Sequence, residues 1–289
     1  MNSFYFAQYL LNEGKVSVDE LRELIPKSVD AEVSEKLIAL WQGKVTAEDI
    51  ASVGNGNDSE FSRVAVDKEL MTAEEAFALK KTVPGESERF AQVLIDSGKM
   101  DILGLAPLIE KYHSLDDSPV KTVVQKIADD SIGFELPSYS DFVEIFLRSF
   151  MRFMETPAAV SCEKPIFGDV SGTHVVTQKL TGDISMVTGL FVSEELFIEM
   201  ARHYSHEDIT EMDELAVDSL QEFMNVINGL FAVDMAKQQR DIDLETPRIV
   251  SNTLPAGNNT LSLEIISGLG SFVLMTATDE IGVREGHDF

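Results

Sequence analysis

Apolar residues recur at spacings of three and four through the first 114 residues, as in the set Leu21, Leu24 and Ile25. This spacing places them on one face of an amphipathic helix. From residue 158 onward the pattern changes to short apolar runs separated by turns that contain glycine and aspartate, which is typical of strands. The two patterns predict an all-α N-terminal part and an α+β C-terminal part.

The helical part contains a repeat. Residues 6–25 read FAQYLLNEGKVSVDELRELI and residues 90–109 read FAQVLIDSGKMDILGLAPLI, with two weaker copies between them. Successive copies are 29, 26 and 29 residues apart, and this period predicts duplicated helical hairpins. The apolar anchors on which the four copies align are Val16, Val45, Met71 and Met100.

A residue that can cap a helix N-terminus directly follows each anchor. These residues are Ser17, Thr46, Thr72 and Asp101. In the first three copies an acid stands three positions later, which completes a capping box. These acids are Glu20, Asp49 and Glu75. Each cap contributes only ~1 kcal/mol, but the shared register predicts four helix starts.

The C-terminal part opens with a predicted helix. The run DFVEIFLRSFMRFM from Asp141 has helical periodicity and ends before Pro157. Strand-like runs follow over residues 158–167, 173–182 and 184–193, and turn residues separate them.

Two helices and three more strands complete the predicted order. Ser193 caps the first helix, and Thr210 with Asp213 forms a capping box that opens a longer one. The last strand candidates read DIDLETPRIVS, TLSLEIIS and SFVLMTATD. This order predicts a mainly antiparallel sheet covered by helices.

Domain boundaries follow from composition. The polar stretch HSLDDSP at 113–119 has the composition of a linker. We predict a helical repeat domain at 1–114, a linker with a short helix at 115–136 and an α+β domain at 137–289. A length of 289 residues fits two domains.

Charge and cysteine usage exclude several function classes. A net charge of −27 disfavours nucleic acid and anionic membrane surfaces as partners. The single cysteine, Cys162, cannot form an intrachain disulfide or a cysteine-based zinc site. The sequence lacks an N-terminal signal pattern and an apolar run of about 20 residues. These features predict a cytoplasmic protein.

The long predicted helix carries two stripes. The apolar stripe faces the core and consists of Leu220, Phe223, Ile227 and Phe231. The second stripe lies on another side of the helix, because its members are spaced by four, three and four. It consists of Asp218, Glu222, Asn225 and Gly229. A solvated helix face is the ordinary interpretation of such a stripe.

This stretch resembles the CheC/CheX/FliY family of chemotaxis phosphatases. That family is marked by Asp or Ser, three residues, Glu, two residues, Asn, and a proline a little over twenty positions later. Asp218, Glu222, Asn225 and Pro247 match this pattern, and the glycine after the asparagine is present. The resemblance spans residues 135–289 and implies the family's α+β fold.

The family fold has two related halves, and the first half of this chain departs from the motif. Ser140 and Glu144 keep the serine and the glutamate, but Leu147 stands where asparagine is required. The first half-site is therefore predicted to be degenerate. One active helix is similar to CheX rather than to CheC.

The resemblance implies an enzyme that hydrolyses the phosphoaspartate of a CheY-type response regulator. Asn225 would orient the attacking water, and Glu222 would pair with a lysine beside the regulator's phosphorylation site. Asp218, Gly229 and Pro247 would support the motif. The magnesium would belong to the regulator, so we expect this chain to bind no cofactor or metal.

Two further expectations follow from the same resemblance. CheX-like domains pair through their sheets, so a homodimer of the C-terminal domain is expected. The alternative to a phosphatase is a catalytically silent adaptor that binds a response regulator or a flagellar switch component through the same helix face.

The N-terminal repeat resembles the N-terminal domain of type II secretion and pilus assembly ATPases, many of which bind cyclic di-GMP. That family's Arg-Leu-Gly motif corresponds to Arg89, Phe90 and Ala91, so only the arginine is kept. The glycine that follows this motif is present in the first, second and fourth copies as Gly14, Gly43 and Gly98. In the third copy Glu69 takes its place. A helical interaction or scaffold domain is the alternative that the acidic composition favours over cyclic di-GMP binding.

Histidines offer a weaker candidate site. His203 and His206 with Glu207 have the residue types of a metal site, but they stand at a predicted helix end, where surface positions are the ordinary interpretation. His174 lies on a predicted strand and is interpreted as structural.

Overall fold

The computed structural model describes residues 5–54, 58–128, 136–167, 171–256, 260–278 and 280–285. Its N-terminal half is helical, and its C-terminal half is an antiparallel sheet with helices, which confirms the predicted fold class. The first eight helices are α1 (Phe6–Asn12), α2 (Val18–Ser28), α3 (Glu35–Trp41), α4 (Ala47–Val53), α5 (Asp58–Asp67), α6 (Ala73–Leu79), α7 (Glu86–Asp96) and α8 (Ile102–His113).

The predicted caps start four of these helices. Ser17, Thr46 and Thr72 each accept a hydrogen bond from the backbone N–H three residues later, and the acid at that position bonds back. Asp101 accepts from the N–H of Gly104 at 2.7 Å. The three capping boxes and the fourth cap are therefore confirmed.

Each copy of the repeat makes the same left-handed turn after its first helix. Gly14, Gly43 and Gly98 have φ angles of 63°, 66° and 69°, and Glu69 has 59°. In each case the next residue's N–H bonds back to a carbonyl five positions earlier, as Leu70 does to Ala65. Glycine suits this conformation because it has no Cβ to clash with the backbone. The glycines of the repeat are therefore helix C-terminal caps.

The rest of the chain contains four helices and nine strands among the described residues. In chain order they are α9 (Pro119–Ala128), α10 (Leu136–Phe153), β1 (Ala158–Val160), β2 (Thr173–Gly182), β3 (Met186–Ser193), α11 (Glu194–Ser205), α12 (Glu214–Lys237), β4 (Ile242–Leu244), β5 (Arg248–Ser251), β6 (Thr253–Ala256), β7 (Thr260–Ser267), β8 (Gly270–Ala277) and β9 (Gly282–Glu285). None of these helices is both long and apolar enough to cross a membrane.

The main sheet has the strand order β1-β7-β8-β3-β2-β4, with β5 also paired to β2. All of its pairings are antiparallel. One face packs against α10, α11 and α12 in the main C-terminal core. The predicted stripe of Leu220, Phe223, Ile227 and Phe231 is fully buried there, as expected.

The N-terminal helices pack on the opposite face of the sheet and on its β1 edge. Ala159 and Ile266 of the sheet belong to the N-terminal core. Gln8 of α1 exchanges two hydrogen bonds with the backbone of Val160, and Arg22 of α2 binds both carboxylate oxygens of Glu264. The helical part is thus docked through specific polar contacts as well as apolar ones.

Several predicted boundaries were wrong. The helix predicted from Asp141 begins at Leu136, because Pro137 is tolerated in a first helical turn. The strand predicted over 158–167 ends at Val160, where its pairing with β7 stops. Asp213, and not Thr210, caps the long helix by accepting from the N–H of Ala216.

The strand predicted over 241–251 is divided into β4 and β5 by residues 245–247. Pro247 has no N–H for the ladder, which explains the break. The small β6–β9 sheet was not predicted. The predicted linker at 115–136 contains α9, and its residues 129–135 lie outside the described residues, as does Asp279 of the last predicted strand.

Candidate functional site

The second stripe of α12 faces away from the main core. Asp218 and Glu222 are exposed, and Asn225 and Gly229 are half-buried. One turn of helix separates each member from the next, so their side chains lie along a single line. The buried stripe packs α12 against the core and so fixes the position of this second stripe. We refer to Asp218, Glu222, Asn225 and Gly229 as the polar line.

Pro247 lies beside this line. The break between β4 and β5 lies over α12, where Gln221 Nε2 donates to the carbonyl of Pro247 at 3.2 Å. Helix and strand break together line a shallow cavity of about 440 Å³. The described residues that line it are Asp218, Gln221, Glu222, Asn225, Leu244, Glu245, Thr246 and Pro247. The motif residues Asp218, Glu222, Asn225 and Pro247 therefore all line this cavity, and Gly229 does not.

The carboxamide of Asn225 is held from below. Gln178 of β2 donates from Nε2 to Asn225 Oδ1 at 2.9 Å and to the carbonyl of Glu245 at 2.8 Å. Asn225 makes no other side-chain hydrogen bond among the described residues. Its Nδ2 group and the second lone pair of Oδ1 therefore remain for a ligand in the cavity.

A buried polar network continues beneath Gln178. Asn228 Nδ2 donates to Gln178 Oε1 at 2.7 Å and to Thr188 Oγ1 at 2.9 Å. Gln178, Asn228 and Thr188 are at most 1% exposed. The sequence motif did not include these residues, although Gln178 stands between the inward-facing, fully buried Val176 and Leu180. A polar residue at an inward strand position was the signal that could have found it.

The cavity is acidic. Asp218, Glu222 and Glu245 are its ionisable lining residues among those described. Glu245 lies 4.0 Å from the exposed Lys179, which neutralises it only weakly. Burial, together with the charge of Glu222, raises the pKa of Tyr204. The field at this site favours a cationic group on a partner.

Gly229 lies in open space at the end of the polar line. A Cβ built at this position would meet no atom within 4 Å. The helix around it is regular, so neither packing nor an unusual φ angle requires a glycine here.

The residues predicted to form a degenerate first half-site lie on α10, which packs against α9. Lys121 of α9 binds Asp141 and lies 3.4 Å from Glu144. The hydrogen bond to Asp141 and the charge of Glu144 raise the pKa of Lys121. Leu147 is fully buried in the core, and Ser140 is buried as well. Position 147 thus has no access to a partner.

The histidine candidates lie at the end of α11 and on β2. His206 is exposed and caps the C-terminus of α11 in a left-handed conformation, and His203 is half-buried on the same helix. Neither contacts Glu207 through a hydrogen bond or ion pair among the described residues. His174 is buried and bonds Ser251. No group of three potential metal ligands occurs in the part of the chain that the structure describes.

A larger cavity of about 1100 Å³ lies between α7, α10 and α12, away from the polar line. Its lining includes the bases Arg89, Arg148, Arg152 and Lys237 and the acids Asp30, Glu86, Glu155 and Asp234. The charges balance, so the cavity favours neither sign. Arg89 also donates to the carbonyl of Val29 at 2.6 Å. A helical interaction or scaffold role for the N-terminal domain, favoured over binding of cyclic di-GMP, remains a prediction.

Comparison with protein families gives a match within the C-terminal part. Residues 174–266 match the family model described as "Chemotaxis phosphatase CheX". This range contains Gln178, Glu222, Asn225 and Pro247. The C-terminal part is therefore CheX-like, as predicted. The match covers none of the N-terminal repeat, whose resemblance to secretion ATPases is unsupported. None of the curated proteins matches the chain.

Solved structures give similarities of low identity. The chemotaxis protein CheX from Desulfovibrio desulfuricans is 12% identical, with a TM-score of 0.40 over 50% of this chain and 99% of that one. CheX from Vibrio vulnificus is 17% identical, with a TM-score of 0.40. The match covers 47% of this chain and 92% of that one. A CheX–CheY–BeF3–Mg²⁺ complex from Borrelia burgdorferi is 16% identical, with a TM-score of 0.37. The match covers 50% of this chain and 98% of that one.

Proposed function

We propose that the C-terminal part of this chain hydrolyses the aspartyl phosphate of a CheY-type response regulator. The observation that carries the proposal is the carboxamide of Asn225, fixed at the cavity beside the exposed Glu222. The match of residues 174–266 to a family of chemotaxis phosphatases supports it.

The reaction transfers a phosphoryl group from an aspartyl oxygen to water. Water forms the new P–O bond, the bond to the aspartyl oxygen breaks, and inorganic phosphate and a proton are released. Such a reaction passes through a loose transition state, so the enzyme contributes mainly positioning and charge stabilisation. Asn225 does both: its remaining Oδ1 lone pair accepts from the water, and Nδ2 donates to a water or phosphoryl oxygen.

Glu222 serves as the docking group. Its exposed carboxylate can pair with a lysine beside the regulator's phosphorylation site, and Asp218 and Glu245 strengthen the attraction. The magnesium ion belongs to the regulator as part of the substrate and neutralises the phosphoryl oxygens there. The acidic lining of the cavity fits a substrate that brings its own cations.

The test is the decay of a magnesium-loaded, phosphorylated response regulator in the presence of this protein. Asn225→Ala should lower kcat by about a hundred- to a thousand-fold, the usual loss for a positioned donor. Glu222→Ala should mainly raise KM, by about tenfold, because it removes docking rather than chemistry. Asp234→Ala, on another face of the same helix and paired with Lys237, is the matched control and should behave like wild type.

If the wild-type protein binds the phosphorylated regulator but does not accelerate its dephosphorylation, the proposed phosphatase activity is overturned. It would favour the adaptor, which uses the same helix face without catalysis. The first half-site, predicted to be degenerate, is the feature that keeps this alternative, because its Leu147 is fully buried and a single candidate helix remains.

A further inference from the structure

Gln178 is a polar residue of β2 whose side chain is buried beneath α12. Its side chain lies on the helix-facing side of β2, where its neighbours Val176 and Leu180 are both fully buried in the main core. A buried carboxamide with unmet hydrogen bonds costs about 1–3 kcal/mol. Its presence among apolar residues is therefore compensated by its partners on α12 and by the strand break.

The orientation of this network follows from a single backbone atom. The carbonyl of Glu245 can only accept, so the atom of Gln178 that lies 2.8 Å from it must be Nε2. The second N–H of Nε2 is then directed at Asn225, which must present Oδ1 at 2.9 Å. Asn225 is thereby fixed with one lone pair of Oδ1 bound to Gln178 and with Nδ2 toward the cavity. The opposite rotamer would place two N–H groups against each other.

The layer below fixes Gln178 in turn. Its Oε1 accepts from Asn228 Nδ2 at 2.7 Å, and Asn228 also donates to Thr188 Oγ1. The hydroxyl of Thr188 lies 3.3 Å from both the carbonyl of Gln178 and Asn228 Oδ1, so it can donate to either. Every N–H of the Gln178 amide has a partner, and rotation of the amide would break all three of its hydrogen bonds.

We propose that Gln178 is a positioning residue, which holds the Asn225 carboxamide in the one orientation that presents Nδ2 to the phosphoryl group. This inference deepens the proposed function and rests on it. Gln178 does not touch the substrate; it acts through Asn225 and is itself held by Asn228 and Thr188. The site is therefore larger than its exposed motif and includes a strand residue outside α12.

The kinetic test replaces the amide at constant size. In Gln178→Glu, the carboxylate oxygen that replaces Nε2 would face both the Glu245 carbonyl and Asn225 Oδ1, which drives Asn225 to turn Nδ2 inward. We expect kcat to fall on the order of a hundredfold, as for a misplaced reacting group, with KM unchanged because Glu222 and Asp218 are intact. Gln178→Met, which keeps the volume and removes the hydrogen bonds, should lower kcat in the same way. Val176→Ala, on the same strand face, is the control for packing alone.

A second measurement reads the orientation of Asn225 without catalysis. With ¹⁵N-asparagine labelling, the Nδ2 resonance of Asn225 is assigned as the signal that Asn225→Asp removes. In the wild type and in Val176→Ala this amide should be ordered on the ps–ns timescale. In Gln178→Met it should become mobile, and in Gln178→Glu its chemical shift should move to that of a hydrogen-bonded donor.

The two measurements separate the possible failures. If the wild type does not accelerate decay, the proposed phosphatase fails, and the positioning by Gln178 is judged by the amide resonance alone. If Gln178→Met and Gln178→Glu leave the Asn225 resonance ordered and unshifted, the inference is overturned whatever the kinetics. A kcat no lower than that of Val176→Ala, or a change in KM alone, would also overturn it.

Discussion

Glu69 stands at the position where the other three copies of the repeat have glycine, and its φ angle of 59° is as left-handed as theirs. A side chain in this conformation costs about 1–2 kcal/mol, whereas glycine adopts it freely but has more freedom to lose on folding. We expect Glu69→Gly to raise the free energy of unfolding by ~0.5–1 kcal/mol, measured by chemical denaturation. The reverse change Gly98→Glu should destabilise, because nothing within 4 Å of its Cβ position offers compensation. Equal stability of both variants and wild type would contradict this account of the turn.

His174 predicts a pH dependence of stability. Burial lowers its pKa, although the carboxylate of Glu194, 3.6 Å from Nε2, opposes the shift. The unfolded chain, with a histidine pKa of about 6.5, then binds the proton more readily than the folded one. This contribution to stability is present above about pH 6.5 and is lost as the pH falls through the lower folded pKa. His174→Gln should remove it, so its free energy of unfolding should fall less steeply than that of wild type between pH 7 and 5. Parallel curves would contradict a perturbed His174.

The residues of the candidate site divide into those that the sequence predicts and those that it does not. Helical periodicity alone placed Glu222 and Asn225 on the outer face of α12, because a spacing of three or four fixes the face of a helix. It could not find Gln178, whose relation to Asn225 depends on β2 passing beneath α12, 47 residues away in sequence. Contacts of that kind are set by the packing of the sheet.

Gly229 carries a prediction about the long helix as an element. A glycine inside a helix costs ~1 kcal/mol relative to alanine, and a Cβ here would meet no atom. Gly229→Ala should therefore raise the free energy of unfolding by about that amount. If a response regulator docks on the polar line, the added methyl group should at the same time weaken its binding. Thermal unfolding and titration with the phosphorylated regulator measure the two effects.

Gly268→Ala is a contrasting control for this helix. Its Cβ would clash with Thr156 Oγ1, so the substitution should destabilise the sheet without touching the polar line. If the Gly229→Ala variant binds the regulator as tightly as the wild type does, the regulator does not approach α12 closely at Gly229.

Local signals predicted most element types and some boundaries. The strands Thr173–Gly182 and Thr260–Ser267 have the predicted bounds, and the capping boxes fixed three helix starts. The break between β4 and β5 and the β6–β9 pair were missed, because both depend on partners distant in sequence. Strand existence follows from alternation, but strand ends follow from pairing.

At the scale of the whole molecule, the helical repeat is part of the environment of the sheet. β1 is an edge strand, and its Val160 presents an N–H and a C=O away from β7. Gln8 pairs with both groups through its carboxamide, with Val160 N donating to Oε1 at 2.7 Å and Nε2 donating to Val160 O at 3.2 Å. An unpaired edge is open to association with another strand, and covering it prevents this. This edge of the sheet is occupied within the chain by Gln8. The homodimer expected for the C-terminal domain remains a prediction.

The repeat provides its own control for this contact. Gln92 stands at the position of Gln8 in the last copy, is also buried, and makes the same bond to the residue four positions later. Its Oε1, however, accepts from Ser34 within the helical part rather than from the sheet. Gln8→Leu and Gln92→Leu thus remove equivalent side chains, only one of which reaches the sheet.

We expect Gln8→Leu to loosen the helical part from the sheet. It leaves the N–H and C=O of Val160 buried without partners, at a cost of about 1–3 kcal/mol for each group. Hydrogen exchange followed by mass spectrometry should then show faster exchange in the peptide containing β1 for Gln8→Leu, but not for Gln92→Leu. Light scattering after size exclusion adds a second readout, because an uncovered edge should raise the mass of Gln8→Leu toward a dimer. Equal exchange in both variants would mean that apolar packing around Ala159 and Ile266 and the Arg22–Glu264 pair, and not the Gln8 amide, hold the two parts of the molecule together.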